Sequence, residues 1–472
     1  MAKLQGLALA LAAALASAGC ATLVPPTPDA QPQLRDAWPM PEHAPAATAA
    51  GNAAEIGWRD VLVDPRLERV VAQALTNNRD LRVAVLNVER VRQQYRIQRA
   101  ERLPAIGANA TLERSGGDAP ISETYSASLG LASFELDLFG RVRNLSEAAL
   151  QQYFAQEENR RAAQIALIAQ TSNAWMALAA DQSLLAVARD TLAAYEASLK
   201  LTERRHEVGA VSGLVLAQAQ TQVETARSDV ARYSGLVEQD RNALDLLAGS
   251  PVAADDLPQG FGDDLVAMTA LPAGVPSEIL LRRPDIQAAE HSLLSANANI
   301  GAARAAFFPS ITLTGSAGTA SSDFSGLFDA GTRFWRFVPQ VNLPIFQGGA
   351  LRANLGMANA NRDIALANYE KAIQAGFREV ADAISLSATL AEQRAAAERL
   401  LAAAQRAEQL SKARYDAGYD SYLTLLDAQR TRYAAQQGLV AARLAEQANR
   451  VALYTAMGGG WQAEASVATT AP

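Results

Sequence analysis

The chain has 472 residues, 49% of them hydrophobic but only 6% aromatic, and alanine supplies much of the apolar content, which suits long, closely packed helices better than one large globular core. A formal net charge of −7, a pI near 5.3 and the lack of any Lys/Arg cluster argue against a nucleic-acid partner. The single cysteine, Cys20, excludes an intrachain disulfide framework, and His43, His206 and His291 lie too far apart in sequence for a local metal motif.

Lys3, the apolar run from Leu4 to Ala16 and the small residues Ser17, Ala18 and Gly19 read as a bacterial signal peptide over residues 1–19. The small residues stop at Cys20 as in a lipobox, where the thiol takes a diacylglyceryl group and becomes the new N-terminus. Ser17 stands where that pattern favours Leu, and an ordinary cleavage site is the competing reading. Residues 20–57 then form an N-terminal arm, rich in Pro and Ala from Pro25 to Pro45. No later stretch holds 18 consecutive apolar residues, so a membrane crossing would have to be made with strands.

Beyond the arm the chain is a tandem repeat: residues 58–250, a Pro/Gly-rich linker over 251–276, and residues 277–460, before a flexible tail at 461–472. Asp80-Leu81 and Pro104-Ala105-Ile106 recur 205 residues later as Asp285-Ile286 and Pro309-Ser310-Ile311. Phe139 recurs as Phe346 at 207, while Gly209, Leu214, Gln220 and Gly249 recur at 209 as Gly418, Leu423, Gln429 and Gly458.

Each repeat predicts a helix, two strands, a very long helix, a glycine turn and a returning helix. Between Gly140 and Gly209 there is no Gly or Pro, and Leu178, Leu185, Leu192 and Leu199 recur at sevens as a coiled-coil-like seam. About sixty helical residues would extend on the order of 90 Å, too long for a compact domain. Gly209 and Gly418 sit where such a helix must stop, with Ser212, and Asp420 or Ser421, as N-caps for the returning helix.

The strand segments alternate. Ile106, Ala108, Ala110 and Leu112 interleave with Gly107, Asn109, Thr111 and Glu113, and Ile311 and Leu313 with Thr312, Thr314 and Ser316. Tyr125, Ala127, Leu129 and Leu131 form a third apolar face; Trp335, Phe337, Val341, Leu343 and Ile345, opposite Arg336, Gln340 and Asn342, form a fourth. A soluble sandwich alternates too, but if these strands cross a bilayer they are too few to close a barrel, which begins at about eight. Several chains would have to share one.

The segments Phe134-Glu-Leu-Asp-Leu-Phe-Gly-Arg-Val-Arg143, Gly274-Val-Pro-Ser-Glu-Ile-Leu-Leu-Arg-Arg-Pro-Asp-Ile-Gln-Ala-Ala-Glu290 and Ala298-Asn-Ile-Gly-Ala-Ala-Arg-Ala-Ala-Phe-Phe-Pro-Ser-Ile311 resemble the hallmark stretches of NodT-type outer membrane factors, a TolC-like family. The resemblance runs from about residue 55 to about 460. It implies a mainly α protein with a membrane β-barrel: a homotrimer in which each chain gives four strands to one twelve-stranded barrel, continued by a long α-helical periplasmic tunnel with an equatorial belt. It implies a passive exit duct for drugs, solvents or metal ions in the bacterial outer membrane. The implied partners are a periplasmic adaptor, an inner-membrane pump of the resistance-nodulation-division (RND) type and outer-membrane lipid. Sparse Met and His argue against a dedicated copper or silver duct.

Leu423-Thr-Leu-Leu-Asp-Ala-Gln-Arg430 is similar to the family segment that closes the periplasmic end of the tunnel. The resemblance gives Asp427 and Arg430 a part in the closing contacts, with Tyr415 and Leu423 nearby, and sets adaptor docking near Gly209 and Gly418. The plainer alternative is a solvated helix pair contributing about 0.2 to 0.5 kcal/mol. Against it, the matching residues of the first repeat, Gln218 and Thr221, are uncharged.

A type I secretion duct shares the architecture, and a poreless periplasmic scaffold shares the helices but not the two strand pairs. Catalytic, cofactor and metal residues are not expected. There is no Gly-x-Ser-x-Gly elbow, and His206-Glu-Val-Gly-Ala210 lacks the second histidine of a zinc motif.

Overall fold

The computed structural model describes residues 22–35, 38, 57–118, 120–262 and 277–459. The signal peptide, Cys20, most of the arm beyond residue 35, linker residues 263–276 and the tail lie outside the described residues. The order of elements is α1 (Trp58–Val61), α2 (Pro65–Asn77), α3 (Arg79–Ala100), β1 (Ile106–Ser115), β2 (Ser122–Leu136), α4 (Arg141–Glu207) and α5 (Gly213–Ala248), followed by α6 (Pro284–Ala305), β3 (Ser310–Ser321), β4 (Arg333–Asn342), α7 (Ala350–Asp416) and α8 (Tyr422–Ala456). The chain divides into two compact units. One takes residues up to Pro32, Leu86–Glu158 and Gln287–Ala372; the other takes Gln33–Val85, Asn159–Ile286 and the chain from Ile373 onward.

The first unit holds the sheet, four antiparallel strands in the order β1-β2-β3-β4. Its register keeps one face apolar: Ala108 pairs with Leu129, Leu129 with Ala317, and Ala317 with Trp335. That coherence survives a parity problem in β2, where Leu131 and Phe134 are both apolar but three apart. A bulge between them, with Ser133 at φ 41°, inserts the extra residue and brings Phe134 onto Leu313. Leu343 and Ile345, expected on the last strand, fall beyond its end at Asn342, because Pro344 has no N–H to continue the ladder.

The same unit shows what the Phe134–Arg143 motif does locally. Asp137 accepts hydrogen bonds from the backbone N–H of Val142 (3.1 Å) and Arg143 (2.6 Å), capping the start of α4, and Arg141 forks onto Glu135 at 2.9 and 2.5 Å. Gly140 makes the turn at φ 77°.

In the second unit the core is formed by Trp58, Leu67, Val71, Trp175, Leu244 and Tyr454 among others. The described part of the linker is tied onto it: the Trp175 indole donates to the Asp256 carbonyl (3.0 Å) and Ser183 Oγ accepts from the Phe261 N–H (2.6 Å). Leu178 and Leu185 are buried, and Leu192 and Leu199 pack on Tyr195 and Val223, so the sevenfold leucine spacing is the seam of α4 against α5.

Two corresponding clamps fix the start of α3 and of α6. Asn78 donates from Nδ2 to the Leu247 carbonyl at 2.9 Å and caps α3 by accepting from the Leu81 N–H. At the matching place Arg283, 8% exposed, donates to the Ala456 carbonyl at 2.8 Å, forks onto Asp285 and reaches Glu379 at 2.7 Å. Beneath each clamp lies a glycine of positive φ, Gly249 and Gly458, where a methyl group would overlap the Asn77 carbonyl or press on Arg283.

Arg283→Ala leaves a buried carbonyl unpaired and releases two half-exposed carboxylates, and should cost about 2 to 4 kcal/mol, against about 1 to 2 kcal/mol for Asn78→Ala. Thermal unfolding of both variants should show the larger drop in midpoint for Arg283→Ala; equal drops would contradict the difference drawn between the clamps.

Candidate functional site

The glycine turns end α4 and α7 in the same way. Gly209 and Gly418 take φ 76° and 79°. In each, the glycine N–H reaches back three residues (His206 O, 2.9 Å; Tyr415 O, 3.0 Å) and the next N–H reaches back five (Arg205 O, 2.7 Å; Arg414 O, 2.9 Å). This is the Schellman pattern that satisfies the last carbonyls of a helix. Ser212 caps α5, accepting from the Val215 N–H. Ser421 occupies the N-cap of α8 without a side-chain cap bond, and Asp420 instead binds Arg414 bidentately at 2.7 and 2.9 Å.

Just behind these turns the two hairpins meet. Tyr415 accepts a hydrogen bond from Arg205 Nη1 at 3.0 Å and its ring stands 5.8 Å from that of Tyr422. Tyr422 and Leu426 are buried against Ala219, with Leu199 and Val215 beside them. Arg430 donates from Nε to Gln222 Oε1 on α5 at 3.1 Å. Asp427 is exposed and, among the described residues, its carboxylate makes no ion pair with Arg430; its backbone carbonyl accepts from Thr431 Oγ1. Leu423 is exposed as well. Of the four residues singled out from sequence, Tyr415 and Arg430 hold the first hairpin, and Asp427 and Leu423 face outward.

Arg205 and Gln222 escaped the sequence reading. Each lies more than 200 residues from its partner, and neither Arg205–Tyr415 nor Gln222–Arg430 joins repeat-equivalent positions, so the repeat offset gives no signal for them. Farther along the hairpins, Tyr433 donates to Asp229 (2.9 Å), Arg432 binds Glu408 (2.8 Å) and Arg394 binds Glu446 (2.7 Å).

In the first unit the apolar face of the sheet is open: Ile106, Leu129, Trp335, Phe337 and Val341 are all exposed. Among the described residues no helix is long and apolar enough to cross a membrane. The arm lies along α6, where Arg304 donates to the Leu23 carbonyl (3.1 Å) and Asn297 to that of Pro25 (2.8 Å). Gly301 permits this, since a Cβ there would collide with Val24 and Asn144.

Comparison with known proteins agrees along nearly the whole chain. A family model described as outer membrane efflux protein matches residues 70–250 and 275–459. The toluene efflux pump outer membrane protein TtgC of Pseudomonas putida is 46% identical over 452 residues, covering 94% of this chain and 93% of that protein. The antibiotic efflux pump outer membrane protein ArpC of the same species gives the same identity and coverage. The open-state structure of the Neisseria gonorrhoeae MtrE outer membrane channel superposes with a TM-score of 0.84 at 40% identity, covering 93% of this chain and 99% of that one.

One electrostatic feature of the hairpins is testable directly. Asp240 on α5 is pushed up to about 6, first by burial and then by the charge of Asp181 on α4, which burial also pushes up. The folded chain therefore holds a proton more tightly than the unfolded chain, and loses stability as pH rises from about 4 to about 6. Asp240→Asn should raise the unfolding midpoint at pH 7.5 and flatten that pH dependence; a midpoint lowered at pH 7.5 would contradict it.

Proposed function

This chain belongs to the outer membrane efflux protein family, and we propose that three copies of it close one twelve-stranded barrel and a helical tunnel, the outer-membrane exit duct of a tripartite efflux pump. The observation that carries this reading is the sheet of the described residues: four strands, a coherent exposed apolar face, and unpaired edges at β1 and β4. Such edges are untenable in hydrocarbon, and a four-stranded sheet cannot close on itself. Three chains of four strands satisfy both demands.

The duct is passive, with energy supplied by an inner-membrane RND pump and the link made by a periplasmic adaptor that docks at the turns of Gly209 and Gly418. The names of TtgC and ArpC point to toluene and antibiotics as the cargo of those relatives. Small organic compounds of that kind are the cargo proposed here.

Lipid attachment at Cys20 belongs to the same reading. Leu23, three residues after Cys20 in sequence, is held by Arg304, next to the last residue of α6 and six residues before β3 begins, at the end of the sheet where a membrane surface would be. Mass spectrometry of the N-terminal peptide should find a lipidated Cys20, and Cys20→Ser should remove the added mass. An unmodified free thiol in outer-membrane protein would sink lipidation and leave the duct intact.

Asp427, Arg430, Tyr415 and Leu423 are proposed as the periplasmic gate. Among the described residues Arg430 spends only Nε on Gln222 and the Asp427 carboxylate has no partner, so neighbouring copies converging at the hairpin ends can pair these charges. Contacts of a few kcal/mol suit a gate that a partner must open. In planar bilayers the unaltered channel should conduct poorly and the Asp427→Ala, Arg430→Ala double variant several-fold better. High conductance in both would discard the gate; none in either inserted trimer would discard the duct.

A further inference from the structure

The face of the sheet opposite the apolar one is built largely from small polar residues such as Asn109, Thr111, Ser126, Thr314 and Ser316. Among the described residues the strands bring three charges to that face: Glu113 on β1, Glu135 on β2 and Arg336 on β4. Arg141 occupies both oxygens of Glu135. One carboxylate and one guanidinium are left, both exposed, and they stand on the two edge strands.

Within the chain these two do not meet. Arg336 lies across from Ser316, Ser316 from Gly130, and Gly130 from Gly107, which is six residues down β1 from Glu113. Glu113 itself lies across from Thr124. Three strand spacings and those six residues separate the two Cα atoms by about 25 Å, beyond what the side chains can span.

The shared barrel removes that separation. Strand β3 follows β1 at an offset of 205, and β4 follows β2 at 207, or 208 on the far side of the bulge, where β2 holds one extra residue. Transposed by these offsets, the pairs that β2 makes with β3 become pairs of β4 with the neighbour's β1. Phe134–Leu313 becomes Val341–Ala108 and Leu129–Ala317 becomes Phe337–Leu112, so the apolar face stays apolar across the seam. On the other face, Ser128–Gly318 becomes Arg336–Glu113. The two hairpins differ by two residues in register, since Ile106 lies across from Leu131 and Ile311 from Val341. A slip of two at the seam would leave Glu113 on the diagonal of Arg336 and on the same face, within reach of side chains this long.

We propose that Arg336 of one copy binds Glu113 of the next on the lumen face of the barrel, and that the three pairs so formed keep the charge of that lumen balanced. The inference rests on the barrel proposed above and adds two residues that govern what passes through it. Unpaired, either residue would repeat three times around the lumen as a ring of one sign, and such rings select ions. Paired, they cancel, which suits a duct for small organic compounds whatever their charge. The pair also sorts the edges: β1 against β1, or β4 against β4, would bring like charges together, whereas β4 against β1 joins opposite ones.

Charge exchange tests the pair. Arg336→Glu and Glu113→Arg should each lower the temperature at which the trimer comes apart in detergent gels, and the double exchange should recover most of the loss. A double variant weaker than either single one would overturn the pairing. In bilayers separating unequal salt concentrations, Arg336→Gln should shift the reversal potential toward cation selectivity and Glu113→Gln toward anion selectivity. Reversal potentials unmoved by both would overturn the balance of charge in the lumen. Dissociation temperatures unchanged in all three exchange variants, with native mass still giving three chains, would discard the pair and keep the assembly. A monomeric native mass for the unaltered chain would discard both.

Discussion

Hydrocarbon offers no partner for a peptide group, and every other feature of this chain is arranged around that constraint. Among the described residues, strands β1 and β4 each leave one row of N–H and C=O groups unpaired, and the sheet they bound carries its apolar side chains outward. Each orphaned group left in lipid would cost several kcal/mol, far more than at a soluble edge strand. Pairing with further copies is the remedy the backbone allows. Tandem duplication helps, because a chain whose β2 already pairs with β3 across the repeat boundary has rehearsed the pairing it needs with its neighbour.

The strength of the contacts is distributed with the same logic. Where α3 and α6 begin, the clamps are buried and multiply bonded: Asn78 on Leu247, and Arg283 on Ala456, Asp285 and Glu379. Near Gly209 and Gly418 the hairpins are joined by single, partly exposed bonds such as Arg205–Tyr415 and Arg430–Gln222, each contributing about 1 kcal/mol. Firm bonding where α3 and α6 begin and weaker polar bonding near the turns suit the gate proposed above.

Much of this was legible in the sequence because periodicity and chain punctuation are local. The seam at Leu178, Leu185, Leu192 and Leu199, the stops at Gly209 and Gly418 and the alternation in β1 needed no partner to be seen. The bulge at Ser133 was not, since only the register against β3 shows why Phe134 must rejoin the apolar face. Ile345 was misplaced because its alternation continues past Pro344, where the hydrogen bonding does not. Asp420 looked like a cap until Arg414, six residues back, claimed both its oxygens. The Arg283 clamp sat inside a recognised motif yet had no reading, because its acceptors at Ala456 and Glu379 are distant in sequence. The residues proposed as the gate face a harder limit: a partner supplied by another copy would leave no trace in one chain.

The closure of the sheet is tested most directly by hydrogen–deuterium exchange of the protein in lipid nanodiscs, followed strand by strand. If neighbouring chains pair β4 with β1, amides of Ile106–Ser115 and Arg333–Asn342 should exchange as slowly as those of β2 and β3. If about half of the β1 and β4 amides exchange rapidly while β2 and β3 stay protected, the sheet ends open, and the account of a shared barrel is wrong.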